Sequence, residues 1–179
     1  MFEQVEKIIG PYVSRPAECR KFDPRAAAVA RRIDEAISGP LPQIHAEHVG
    51  STSVPGCAGK GIVDLMVAVP EGEMDRVKEL LDKLGFQHQA GPEPFPEERP
   101  MRVGSLTHED ETFLLHVHVI PAGSPEVEEM RFLRACLRAD SDLLRAYVGQ
   151  KKKIIASGVT DSLEYCKAKG EFLKAVLGG

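Results

Sequence analysis

A chain of 179 residues, 42% hydrophobic and 28% charged, is long enough to bury a core without disulfides or metals. Its formal net charge of -4 gives no global reason for nucleic-acid binding, so nucleic acid is not an expected partner and any polyanion site must be local. The cysteines Cys19, Cys57, Cys136 and Cys166 have neither zinc-site spacing nor scaffold density and read as reduced thiols, while no apolar run or signal-like start points to a membrane, so a cytoplasmic location is expected.

Apolar residues at Ala26, Val29, Ile33 and Ile37 predict a one-faced helix over 25–37, closed by Ser38-Gly39-Pro40. A short strand over 43–49 enters Gly50. The run Ile62-Val-Asp-Leu-Met-Val-Ala-Val69 between Gly61 and Pro70 predicts a strand buried on both faces. Met74, Val77, Leu80, Leu81 and Leu84 predict a second covering helix over 73–84, stopped by Gly85. Residues 90–100, with four prolines, predict an exposed loop beside a site. After a strand near 101–106, residues 112–120 alternate: Leu114, His116 and His118 fall on one face, Phe113, Leu115, Val117 and Val119 on the other. Ser124-Pro125-Glu126 predicts a helix start with a hydroxyl cap, and three helices follow at 125–139, 141–156 and 161–177. This order predicts one α/β (α+β) domain over 1–179, a mixed β-sheet flanked by helices (core about 22–122) with a helical C-terminal part (about 124–177).

Segment 47–64 concentrates four glycines, three hydroxyls, Lys60 and Asp64. Glycines let the backbone approach a ligand, and hydroxyls with amide groups at a helix start hold phosphate oxygens. It is not a Walker A loop, because Gly61 replaces the Ser/Thr that follows the lysine. Asp64, an acid within an apolar strand, must lose hydration and needs a partner: a metal, backbone donors, or a cation such as Lys60.

Gly50-Ser51, twelve residues, then Asp64 on an apolar strand resembles the pattern of the polymerase-β-like nucleotidyltransferase superfamily. Glu47-His-Val-Gly-Ser-Thr-Ser-Val-Pro-Gly56, with Lys60 and Val63-Asp64-Leu65, more closely resembles the signature of the GrpB (UPF0157) family. The resemblance continues through His116-Val-His-Val119, Gly123-Ser-Pro-Glu126, Arg134, Leu137-Arg138, Tyr147 with Lys151, and Tyr165 with Lys169, covering most of 22–177. It implies a nucleotidyltransferase-like fold, a phosphate-binding turn at Gly50-Ser51, and Asp64 as the first metal-binding carboxylate. Two-metal transferases carry a second acid two residues further along the strand; here that position is Met66, and the strand expected to supply a third acid offers His116 and His118. Imidazole suits zinc or manganese better than magnesium.

The resulting expectation is a protein that binds a nucleotide or phosphorylated small molecule. His48, Gly50, Ser51, Thr52, Ser53, Lys60, Arg134, Arg138, Tyr147 and Lys151 are candidate ligand contacts, and Asp64, His116 and His118 candidate ligands of a divalent ion (Mg, Mn or Zn). Asp64, Lys60 and Ser51 would carry any nucleotidyl transfer. The alternatives are a non-catalytic nucleotide-binding or regulatory module and a His/Asp metal-dependent phosphoesterase. Bland readings stand beside these: the two histidines at a wet sheet edge, Arg131, Arg134 and Arg138 as a solvated stripe, the tyrosines as packing residues with snorkelling lysines, and Glu47 as a pair for Lys60.

Overall fold

The structure, a computed structural model, describes residues 2–178, with side chains except those of Ser162, Val176 and Leu177. Helix α1 (Ala26–Ser38) leads to strand β1 (Ala46–Val49), a 3-10 turn (Ser51–Ser53) and strand β2 (Val63–Val69). Helix α2 (Met74–Leu84) precedes β3 (Gln87–His88), β4 (Met101–His108) and β5 (Glu111–Pro121). Helices α3 (Pro125–Ala139), α4 (Ser141–Ala156) and α5 (Ser162–Leu177) complete the chain. Among the described residues no helix is long and apolar enough to cross a membrane.

The strands form one mixed sheet in the order β1-β2-β5-β4-β3, with β2 and β5 parallel and the other neighbours antiparallel. Period-two alternation divides each central strand between two layers. Val63, Leu65, Val67 and Val69 of β2 and Phe113, Leu115, Val117 and Val119 of β5 join the main core with α1 and α2 residues. Many of these side chains have no exposed surface, and each such Leu or Ile contributes roughly 1.5–3 kcal/mol by leaving water. The opposite face carries Asp64, Met66, His116 and His118, and parallel pairing sets Asp64 beside His116 and Met66 beside His118. Met66 is fully buried there in an apolar cluster with Val49, Ile120 and Val127 of α3.

Several expected boundaries move for local reasons. The first strand begins at Ala46 rather than 43, because Leu41 and Ile44 are held in turns by bonds to the carbonyls of Ile37 and Leu41. β4 and β5 extend to meet across a two-residue turn whose Glu109 and Asp110 have φ of 48° and 61°. Positive φ at both central positions suits a primed hairpin turn, normally signalled by Asn-Gly or Asp-Gly. Ser124 precedes α3 but its hydroxyl does not cap it; the Val127 amide donates to the Ser124 carbonyl instead. Asp140 and Asp161 do cap α4 and α5, each carboxylate accepting two amide hydrogen bonds. The proline-rich loop is exposed from Ala90 to Glu98, whereas Arg99 and Pro100 fold inward.

Candidate functional site

The Gly50-Ser51 turn lies directly over Asp64. Gly50 has φ of 71°, and a Cβ there would come within 2.6 Å of Asp64 Oδ2. Both the left-handed backbone and the close approach require glycine. Beneath the turn, Asp64 Oδ1 lies 3.5 Å from His116 Nδ1 and 3.4 Å from His118 Nε2. The three residues can each offer one ligand atom, with these atoms within 4.8 Å of one another. Two ligands at about 2.0–2.1 Å from a tetrahedral ion stand roughly 3.4 Å apart, so the Asp–His separations fit a metal set. Burial opposes the Asp64 charge, but hydrogen bonds from the two imidazoles outweigh it and hold the carboxyl below the usual carboxylate range.

Each histidine has an outer partner that sequence reasoning missed. Tyr12 Oη sits 2.9 Å from His116 Nε2, and Arg99 Nη2 lies 3.2 Å from His118 Nδ1. Tyr12 belongs to the N-terminal segment, which lies against the sheet through a bridge between Gly10 and Ser105. No periodic pattern marks either position; the proline-rich loop signalled a neighbour of the site without singling out Arg99.

The three hydroxyl residues are not equivalent. Ser53 Oγ donates to the Gly50 carbonyl at 2.6 Å, and Thr52 Oγ1 pairs with His48 Nε2 at 2.8 Å, so both buried hydroxyls brace the turn. Burial and the nearby Arg138 and Arg134 push His48 down to about 4, which keeps it neutral at pH 7. Ser51 is half-buried, and its Oγ accepts from Lys151 Nζ at 3.0 Å.

Lys151 has no exposed surface, packs 4.3 Å from the Tyr147 ring centroid and has no ion pair among the described residues. Burial lowers its pKa. Its ammonium meets the turn at Ser51 Oγ and lies 3.4 Å from Cys57 Sγ. Lys60 and Lys169 lie 5.1 and 5.6 Å from the centroid of the buried Tyr165 ring, and Tyr147 stacks on Phe172. The loop, α4 and α5 thus gather three ammonium groups around two tyrosines beside the turn.

The arginines of the α3 stripe are paired with the protein itself, although Arg138 stays exposed and Arg131 and Arg134 are half-buried. Arg131 and Arg134 both pair with Glu47, Arg134 also donates to the His48 carbonyl at 2.8 Å, and Arg138 donates twice to the Ser53 carbonyl. Glu47 accordingly pairs with these arginines rather than with Lys60. The stripe fastens α3 to β1 and to the turn, with Arg134 and Arg138 reaching the protein's own carbonyls.

Comparison with known proteins agrees with this architecture. The family model described as GrpB protein matches residues 17–178. A UPF0157 protein of Streptomyces coelicolor is 34% identical over 148 residues, which are 82% of this chain and 72% of that one. The crystal structure of the conserved protein GrpB from Enterococcus faecalis superposes with a TM-score of 0.63 at 22% identity, covering 89% of this chain and 99% of that one. The Cid1 poly(U) polymerase superposes with a TM-score of 0.50 at 12% identity over 73% of this chain; the match spans 40% of the polymerase. That likeness establishes the fold.

Proposed function

Since this chain belongs to the GrpB family and has a nucleotidyltransferase-like fold, we propose that it binds a nucleotide or another phosphorylated small molecule over Asp64, with a divalent metal ion held by Asp64, His116 and His118. The observation that carries this reading is the Gly50-Ser51 turn closing to 2.6 Å, by a hypothetical Gly50 Cβ, over a carboxylate flanked by two imidazoles. The turn brings backbone and the Ser51 hydroxyl close to a cation site, and Lys60, Lys151 and Lys169 supply positive charge for phosphate oxygens. Tyr147 and Tyr165 supply ring surface in the same wall. The donor set favours zinc or manganese over magnesium. Bound there, the ion would polarise a phosphoryl oxygen; the chain's own groups would orient the phosphate from the Ser51 side.

Met66 favours binding over two-metal transfer. A second ion needs a carboxylate on this face, and Met66 instead fills an apolar cluster under α3. The reading is therefore a one-metal binding site, with a non-catalytic or regulatory module as its natural limit.

The test is a thermal-shift panel of nucleotides and sugar phosphates, each with magnesium, manganese or zinc. A ligand at about 100 times its Kd stabilises the fold by roughly 2.7 kcal/mol. A metal-dependent shift is expected, and silence across the panel contradicts the proposal. Product analysis of the same mixtures separates the remaining readings: pyrophosphate release marks nucleotidyl transfer, orthophosphate alone marks a phosphoesterase, and intact ligand marks a binding module.

A further inference from the structure

Arg99 ends the proline-rich loop and reaches three groups at once. Its guanidinium pairs with Glu126 in the first turn of α3, with Nε at 2.8 Å, and lies 4.0 Å from the Phe95 ring centroid. Its Nη2 lies 3.2 Å from His118 Nδ1. The side chain is 14% exposed, and Nη1 is buried without a hydrogen-bond partner among the described residues.

An arginine side chain offers five N–H donors and no acceptor, and it does not deprotonate in proteins. In this contact His118 Nδ1 must therefore accept, and it carries no hydrogen. In the neutral imidazole the hydrogen then sits on Nε2, the nitrogen that faces Asp64 Oδ1 at 3.4 Å. A metal ion beside Asp64 needs that same Nε2 as a bare lone pair. Histidines that ligate metals normally donate their other N–H to a carboxylate, carbonyl or water; here the outer partner is itself a donor. His116 is under no such constraint. Tyr12 Oη can accept from Nε2–H, and that tautomer leaves His116 Nδ1 as a bare lone pair.

We infer that Arg99 is a positioning residue that keeps metal off His118: while its guanidinium rests on Nδ1, the ion is limited to Asp64 and His116, and full coordination follows only when Arg99 withdraws. Glu126 retains the guanidinium on withdrawal, so release needs no new partner. The inference rests on the metal-binding reading of Asp64 given above.

The experiment is a calorimetric titration of Mn²⁺ into wild type, Arg99→Gln, Arg99→Lys and the double variant Arg99→Gln/His118→Gln. A glutamine carbonyl at 99 can accept from Nδ1–H, so Arg99→Gln should bind Mn²⁺ roughly tenfold more tightly or better, the scale on which outer-shell partners act. Arg99→Lys keeps a donor-only group and should stay near wild type. The double variant should lose the gain, which separates tautomer control from the loss of a nearby positive charge. Equal affinity of wild type and Arg99→Gln, or a gain that survives His118→Gln, overturns the inference. Uptake by neither protein overturns the metal reading as well, whereas equal uptake leaves that reading standing. Long-range ¹H–¹⁵N spectra of the metal-free wild type should show the His118 hydrogen on Nε2; finding it on Nδ1 also overturns the inference.

Discussion

Lys151 is a buried ammonium with hydroxyl, thiol and ring contacts but no ion pair among the described residues. Taking such a charge out of water costs several kcal/mol before its partners are counted. An anion arriving beside Ser51 would offset that cost. Lys151→Met should therefore leave the melting temperature unchanged or higher while shrinking the ligand-induced shift. A variant that melts lower with an undiminished ligand shift would make Lys151 a packing residue. His48 carries a second prediction at this scale. Its folded pKa of about 4 lies below the ordinary 6.5, so the unfolded chain binds the proton more readily. Stability from His48 is thus fully present above about pH 6.5 and is lost as pH falls toward 4, by as much as about 3 kcal/mol. Denaturant unfolding between pH 4.5 and 6.5 should show this slope, and His48→Gln should flatten it; equal slopes in both proteins would refute the assignment. Glu47 and Asp64 titrate on the acid side of that window, because both are held below the usual carboxylate range.

The elements around the site differ in how plainly the sequence announces them. β2 and β5 are legible from their apolar runs, and alternation along β5 correctly puts His116 and His118 on one face. Pairing them with Asp64 required the parallel register of two strands about fifty residues apart, which periodicity does not contain. α3 is legible as a helix, but the partners of its arginines emerge only when β1 and the turn are laid beside them. There Glu47 becomes the anchor: it accepts from Arg131 and Arg134, while Arg134 and Arg138 seize the carbonyls of His48 and Ser53. Glu47→Ala removes the carboxylate shared by two guanidinium groups, leaving Arg131 with Glu128 and Arg134 with the His48 carbonyl, and should cost about 1.5–3 kcal/mol in denaturant unfolding, the range of hydrogen bonds to charged groups. It should also loosen the turn and weaken ligand binding in parallel. A neutral effect on both would show that α3 is held by Met66, Val127 and their apolar neighbours alone. The β4–β5 turn illustrates the opposite limit, since Glu109-Asp110 lacks the turn chemistry its positive φ values demand.

At the scale of the whole molecule, the sheet works as a partition. One face spends its side chains on α1 and α2, and the other turns a carboxylate and two imidazoles toward the glycine turn, α3 and the C-terminal helices. The Gly50-Ser51 block and Asp64 made the fold and the centre of the candidate site legible from sequence. Tyr12 and Arg99 were not legible, because their partners are brought to them by the N-terminal segment and a proline-rich loop that carry no repeating pattern. The proposed role of Asp64 is to hold a metal that in turn holds a phosphorylated ligand. It is tested most directly by titrating each nucleotide of the panel, with and without Mn²⁺, into wild type and Asp64→Asn in a calorimeter. Wild type should bind in an Mn²⁺-dependent way and Asp64→Asn should lose that binding while still folded by circular dichroism. Equal, metal-independent binding by both proteins would contradict it.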